Sequence, residues 1–385
     1  MTSATVGGRP QILHVVTDLN SGGLEKNLLL MVQRTADRFV HHVCCIRQRG
    51  ELAHRFEACA ANVTALDITG RSLSVAFRLA EHCRRVAPQV VHTRNWGAID
   101  GIVGARLAGV PAIVHGEHGR DHATWPRRRG WTLRALSTWT DAIVGVSDDL
   151  GNYLRSEVGV GDSKVVVIPN GVDAERFRPA PERDRLRHQL GLEPGSPTII
   201  AVGRLYPIKN YTSLVASFAA VRQGHPTARM VIVGDGPDRE QIEKAVAQRG
   251  LQAVVRLVGY RDDIENWFAA ADVFAHTAAF EGMNNAALEA MATALPVVAT
   301  SVGGLREIVA DGVTGRLVPY ADENAMTQAL LDYCLDARLR MRHGDAGRRR
   351  VMSKFTAEAM VGAYAQLYER LTGYGVAVRE AAPAP

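Results

Sequence analysis

At 385 residues the chain is longer than one core of ordinary size requires and suits two domains. Hydrophobic residues make up 46% and charged residues 22%, an ordinary globular balance, and the formal net charge is a mild +5. Five scattered cysteines, odd in number and without a Cys-x-x-Cys pair, exclude a disulfide scaffold and a zinc ribbon and suit a reducing compartment. No leader-like run precedes the first strand and nothing approaches the roughly 18 apolar residues of a membrane span, so a cytoplasmic protein is expected.

Residues 1–10 are small and polar and are expected to be disordered. Residues 12–16 read as a buried strand, Thr17-Asp18-Leu19-Asn20-Ser21-Gly22-Gly23 as a loop, and residues 24–33 as an amphipathic helix. A strand, a Gly-Gly turn and a helix start let a phosphate approach the backbone, which makes Gly22 and Gly23 candidate ligand contacts. The loop is neither Gly-x-Gly-x-x-Gly nor a Walker loop, and a tight βα turn accounts for it equally well. Strands over 43–47, 89–93, 112–115, 141–146 and 164–168 alternate with helices over 73–86, 98–108 and 148–157. Short apolar runs between longer helices mark a parallel sheet covered on both faces. Its carboxyl edge, where ligands of such sheets bind, carries Asp18, Asn20, Arg94, Asn95, His118 and Asn170.

The run His115-Gly116-Glu117-His118-Gly119-Arg120-Asp121-His122 sets three histidines and two acids in eight positions. It lacks the His-Glu-x-x-His spacing and its glycines break any helical face, so it reads as a ligand-gripping loop rather than a metal site. His118 then acts either as a general acid or base or only as a hydrogen-bond donor. The helix expected over 125–140 starts with arginines and places Trp131, Leu133, Leu136 and Trp139 on one face. That pattern suits a helix lying on an anionic membrane surface, and equally a core helix with a basic start.

Proline and glycine interrupt the pattern between Pro169 and Pro197. The expected division is residues 1–185, residues 186–355, and a C-terminal helix with a tail, 356–385, packing back on the first domain. A strand over 198–202 opens the second domain and ends in Gly203-Arg204-Leu205-Tyr206-Pro207-Ile208-Lys209-Asn210. Arg204 and Lys209 bracket this strand-to-helix loop and aim two cations at one region, as holding a diphosphate without a metal requires. Strands over 230–233 and 254–258 end at Gly234 and at Gly259-Tyr260, which join the ligand-binding set as strand-end residues. A strand over 272–276 leads to Glu281-Gly282-Met283-Asn284-Asn285 and Glu289. Asn284 or Asn285 is a good N-cap, and residues 286–294 are nearly all strong helix formers. Glu281 therefore stands before the helix and Glu289 about one turn inside it, on either side of unpaired N–H groups and a positive dipole end. Two carboxylates also suggest the acid and base of a glycoside hydrolase. The cations at Arg204 and Lys209 instead make them binding groups for a phosphorylated, hydroxyl-rich ligand. A late arginine run, Arg338 to Arg350, reads equally as a solvated helix face or as a surface for an anionic partner.

Phe280-Glu281-Gly282-Met283-Asn284-Asn285-Ala286-Ala287-Leu288-Glu289 resembles the Glu-x7-Glu motif of the family 4 retaining glycosyltransferases. Val202-Gly203-Arg204-Leu205 with Lys209-Asn210, Val233-Gly234-Asp235-Gly236-Pro237 and Pro296-Val297-Val298-Ala299-Thr300 with Gly303-Gly304 stand in that family's order. The first half, with His92-Thr93-Arg94-Asn95-Trp96 and the His115 run, resembles sugar transferases of bacterial exopolysaccharide clusters. The resemblance implies an α/β fold of two Rossmann-like doubly wound parallel-sheet domains facing a cleft (GT-B). It also implies retaining, metal-independent transfer of a hexose from a UDP- or GDP-sugar, with no further cofactor, to a glycan or lipid-linked acceptor at the inner membrane face. It would give Arg204 and Lys209 the donor diphosphate, Gly23 a close approach to it and Glu289 the ribose. Glu281 and the backbone from Gly282 to Asn285 would take the sugar hydroxyls, with His118 near the reacting carbon. Family members often carry Phe-Gly where Met283-Asn284 stands, so the donor sugar is not assigned. A nucleotide-sugar 2-epimerase of the same architecture is the alternative; a nucleic-acid binder leaves the Glu pair and the cation loop without purpose.

Overall fold

The computed structural model describes residues 8–20, 22–68, 73–119 and 127–374. Expectations for residues 1–7, for 120–126 with His122 and Trp125, and for the tail from 375 lie outside the described residues. Strands β1 (Gln11–Val16), β2 (Val40–Cys45), β3 (Asn62–Ala65), β4 (Val90–Arg94), β5 (Ala112–Glu117), β6 (Ala142–Gly145) and β7 (Val165–Val167) form one sheet in the order β3-β2-β1-β4-β5-β6-β7. Strands β8 (Thr198–Val202), β9 (Arg229–Val233), β10 (Val255–Leu257), β11 (Val273–His276), β12 (Val297–Thr300) and β13 (Gly315–Val318) form the second, ordered β10-β9-β8-β11-β12-β13. Every pairing is parallel, so each connection crosses over, and most do so through a helix. In both sheets the winding reverses between the first and fourth strands, which leaves a crevice at the carboxyl ends of β1 and β4 and of β8 and β11.

Strands β8 and β12 occupy the residues their apolar runs mark. Strand β3 has no such run: Asn-Val-Thr-Ala is a four-residue edge strand, largely half-exposed. Strand β2 starts earlier than expected because His41 and His42 belong to it and hide its apolar alternation.

The first sheet is covered on both faces. Ile12 and Val16 turn toward Leu28, Met31, Phe39 and the helix Ala357–Thr372, while Leu13 and Val15 turn toward Leu79, Ile102 and Leu133. The contacts divide the chain into Met1–Asn170 with Glu358–Pro385, and Gly171–Ala357. The expected division near residue 185 thus moves to 170/171. The helix Arg183–Gln189 is tied to the second sheet: Arg183 and Arg187 donate to Asp272 at 2.7 and 3.1 Å, just before β11. Val172 bridges Thr356 at the other end of that unit.

The late arginine run is more than a solvated face. In the helix Ala337–Lys354, Arg340 donates to the Tyr333 and Cys334 carbonyls, Arg348 to Ala292, and Arg350 to Glu307 and Ile308. Each guanidinium thus meets the negative end of a neighbouring helix, one of them the Asn285–Ala292 helix of the Glu-x7-Glu stretch. The helix Arg127–Ser137 corrects another expectation. Leu133 is fully buried but Trp131 is 72% exposed, because two positions along a helix point to opposite sides.

Asp272 also accepts from the Thr198 N–H at 2.8 Å, and Arg187 is 2% exposed. Asp272→Asn should leave that guanidinium without its charge and lower the unfolding free energy by roughly 3–5 kcal/mol in a urea titration. A loss under about 1 kcal/mol would show that the carbonyls around Arg187 suffice.

Candidate active site

The carboxyl ends of β8 and β11 lie side by side, and the loops leaving them build one polar cluster. After β8 the turn Pro207–Lys209 leads into the helix Tyr211–Gly224, with Asn210 at φ 51° between them. After β11 the chain runs 277–284 to the helix Asn285–Ala292. The second loop is fixed on both sides. Thr277 donates its hydroxyl to the Lys209 carbonyl (2.9 Å) and the Ala279 N–H bonds Ile208 O (2.8 Å). On the other side Thr300 donates to Ala278 O (2.6 Å) and the Gly304 N–H to Gly282 O (3.1 Å). Gly303, at φ 45°, permits that approach, since a Cβ there would stand 1.8 Å from the Glu281 carbonyl.

Glu281 is the centre of the cluster. Its Oε1 accepts from Lys209 Nζ at 2.5 Å and from Asn284 Nδ2 at 2.6 Å, and lies 3.2 Å from His276 Nε2. Lys209 and Glu281 side chains are 16% and 13% exposed. Burial by itself would raise the Glu281 pKa, but Lys209 and His276 hold it well below the usual carboxylate range. His276 is lowered by burial, against the pull of Glu281. Asn284 has two tasks: its Oδ1 caps the helix by accepting the Ala287 N–H (2.7 Å), and its amide holds Glu281. An Asn in this place therefore builds both the helix end and the acid's position. Near the cluster the Tyr211 hydroxyl is buried without a partner among the described residues, 2.9 Å from where a Cβ on Gly203 would stand.

The other expected residues fall at several depths. Arg204 is exposed, with its guanidinium 5.2 Å over the Tyr206 ring and no carboxylate partner among the described residues. Gly282 and Met283 are buried, Asn285 opens the helix, and Glu289 is partly exposed in its second turn. Gly234, at φ 138°, passes so close to Gly203 that a Cβ would stand 1.9 Å from the Gly203 carbonyl. The Gly234 N–H bonds Gly259 O (2.8 Å), and the Tyr260 hydroxyl donates to Asp262 (2.9 Å).

In the first unit Gly22 is the N-cap of the helix Gly23–Thr35 at the carboxyl end of β1. His118 follows β5, and its N–H donates to Asn95 Oδ1 (2.9 Å). Both ring nitrogens of His118 are buried without a partner among the described residues, and burial, followed by Arg94 and His115, pushes its pKa down to about 3. Such a ring is neutral near pH 7 and a poor base, which favours the hydrogen-bonding alternative over acid/base work. His115 is engaged by Thr93 (2.7 Å) and Glu117 (2.9 Å). Among the described residues no group of three or more His, Cys, Asp or Glu is disposed to hold a metal. Sequence reasoning passed over His276, Thr277 and Tyr211; a histidine ending an apolar strand just before the acidic motif was the available signal for the first.

Residues 21–176 match the family model Glycosyltransferase Family 4, and residues 196–336 the model Glycosyl transferases group 1. Over 252 residues the chain is 32% identical to the Escherichia coli UDP-Gal:alpha-D-GlcNAc-diphosphoundecaprenol alpha-1,3-galactosyltransferase, covering 63% of this chain and 65% of that enzyme. It is 31% identical over 257 residues to the lipopolysaccharide core biosynthesis mannosyltransferase LpsB of Rhizobium meliloti, covering 65% and 71%. The crystal structure of Anabaena Alr3699/HepE in complex with UDP-glucose has the same fold, with a TM-score of 0.84 at 21% identity over 94% of this chain and 100% of that one. The two doubly wound parallel sheets, the cluster at the crevice of the second and these matches along both halves agree: the chain belongs to glycosyltransferase family 4 and has the GT-B fold.

Proposed function

We propose that this protein transfers a sugar from a nucleoside-diphosphate sugar to a glycan or lipid-linked acceptor with retained anomeric configuration. The observation that carries this reading is the Lys209–Glu281–Asn284 cluster at the crevice of the second sheet. The relatives named above are sugar transferases, one of them named for a diphosphoundecaprenol-linked acceptor, and the 2-epimerase alternative finds no support among them. UDP-glucose in the Anabaena neighbour and UDP-Gal in the name of the E. coli relative make a UDP-sugar the first donor to test, with GDP-sugars next.

The chemistry needs a charged diphosphate to leave. Lys209 has two N–H groups left for phosphate oxygens after bonding Glu281, and Arg204, with no carboxylate partner among the described residues, offers its fork nearby in the chain. With the N–H groups at the start of the Asn285–Ala292 helix, these neutralise the leaving group without a divalent ion. Glu281, kept ionised by its partners, accepts from sugar hydroxyls, and Glu289 from the ribose. Gly22, Gly23, Gly203, Gly234, Gly259 and Tyr260 border the donor, and His118 donates a hydrogen bond to it. The bond from the anomeric carbon to the phosphate oxygen breaks and the acceptor oxygen bonds from the same face. The departing phosphate takes the acceptor's proton, so the enzyme supplies no base. Exposed Trp131 and Arg128 on the helix Arg127–Ser137 suit contact with an anionic membrane carrying the acceptor. Exopolysaccharide or cell-envelope polysaccharide synthesis at the cytoplasmic membrane face is the corresponding role.

Lys209→Met should lower turnover by about 10²–10³-fold, the scale of one lost charge-stabilising donor, and should also destabilise the chain by stranding buried Glu281. Adding Glu281→Gln should restore the melting temperature without restoring turnover; a double variant that regains turnover would end the diphosphate role of Lys209. In a panel of nucleotide-sugars read by nucleotide release, turnover should survive EDTA. Loss that added Mg²⁺ or Mn²⁺ reverses would refute the metal-free mechanism. Trp131→Ser with Arg128→Ser should reduce pelleting with anionic vesicles, and unchanged pelleting would remove the membrane role of this helix.

A further inference from the structure

A row of buried polar side chains lies beneath the C-terminal helix of the first unit. Parallel register sets His14 of β1 beside His92 of β4, and Arg94 of β4 beside Gly116 of β5. Tyr364 and Tyr368 of the helix Ala357–Thr372 close over them. Arg94 is 3% exposed, and its guanidinium meets imidazole nitrogens rather than a carboxylate: Nη1 is 3.0 Å from His14 Nδ1 and Nη2 is 3.3 Å from His92 Nδ1. The Tyr368 hydroxyl is 2.7 Å from the same His92 nitrogen.

Burial, and next Arg94, hold the pKa values of His14 and His92 far below the ordinary histidine range, so each neutral ring carries one proton. An arginine only donates. The nitrogens it faces must therefore be lone pairs, and both protons sit on Nε2. The rest of the row agrees with this polarity. His14 Nε2–H donates to His41 Nδ1 (3.0 Å), His41 Nε2–H to the Thr35 hydroxyl (2.9 Å), and that hydroxyl to Met31 O (2.7 Å). Each link has one donor and one acceptor, whereas the opposite tautomers would set N–H against the guanidinium.

On the His92 side the row ends at His118. Among the described residues His92 Nε2 is buried without a partner, as are both ring nitrogens of His118. A Cβ on Gly116 would stand 3.0 Å from His92 Nε2 and 3.3 Å from His118 Nε2, so the two rings converge over a residue with no side chain. One bridging water above that glycine would reach both nitrogens.

We propose that Arg94 is a positioning residue for His118: it fixes His92 as the Nε2–H tautomer, whose proton is directed across Gly116 at His118 Nε2, leaving the His118 proton on Nδ1 to be donated to an oxygen of the bound ligand. The inference rests on the reading that His118 serves the transferase site. It makes the arginine's role one of orientation rather than charge, and it gives Gly116 a reason to lack a side chain.

The test is a long-range ¹H–¹⁵N correlation spectrum of the histidine-labelled full chain at pH 7, without substrate. His14 and His92 should show the Nε2–H pattern and His118 the Nδ1–H pattern; Arg94→Met should convert His92 and His118 to mixed tautomers. A wild-type His92 in the Nδ1–H form overturns the proposal, as does a folded Arg94→Met chain with unchanged tautomers. If Arg94→Met does not fold, Gly116→Ala should shift the His118 resonances while leaving those of His14 in place, and an unmoved His118 overturns it. The spectrum needs no sugar donor. The expected tautomers in a chain without transfer activity would therefore uphold Arg94's role while retiring the transferase reading.

Discussion

A carboxylate withdrawn from water has to be matched by cations and donors, and Glu281 is matched from three elements at once: Lys209 after β8, His276 at the end of β11, and Asn284 at the start of the next helix. That requirement explains much of the surrounding backbone. Thr277 and Ala279 bind the acid's loop to the lysine's turn, and Gly303 and Gly304 bring a third loop against its carbonyls. Arg348, from a distant helix, closes the far end of the helix that Asn284 begins. The site's geometry thus depends on groups outside the Glu281 cluster, while Arg204 remains exposed and paired with no acid among the described residues.

Two different electrostatic solutions occur in the two units. In the second, a buried charge is balanced by opposite charge, and Glu281 remains ionised. In the first, Arg94 is buried against neutral rings whose lone pairs face it, and burial keeps His14, His92 and His118 uncharged. The Glu281 arrangement suits a group that must accept hydrogen bonds from hydroxyls, the Arg94 arrangement one that must present an N–H without competing for a proton. Glu281 lies on the carboxyl side of a strand-order reversal, whereas the Arg94 row runs back through the first sheet, from His118 after β5 to His41 near the start of β2.

Much of the site was legible because its residues are consecutive or nearly so. Glu281 to Glu289 announces itself as loop, cap and helix within nine residues, and Arg204 and Lys209 share one turn. What could not be read was partnership across strands. His276 looked like the last residue of an apolar strand, yet it stands against Glu281. His14, His41 and Tyr368 lie up to 354 positions apart and share no motif, and only register and the returning C-terminal helix bring them to the row around Arg94. Trp131 and Leu133 were placed on one face although helix geometry separates them.

The alternation of short apolar runs with longer helices determines two parallel α/β units by itself, because a strand apolar on both faces must be covered on both faces. The local chemistry of Gly203 to Asn210 and Glu281 to Glu289 is likewise a property of sequence, since turn, cap and helix propensities act over a few residues. Strand order, and hence which loops share a crevice, belongs to the tertiary structure: nothing local makes β8 and β11 neighbours while β9 lies on the other side. Protonation was decided there as well. Glu281 is ionised and His118 neutral because of what the fold packs around them, as burial and neighbouring charge depend on residues far away in the chain.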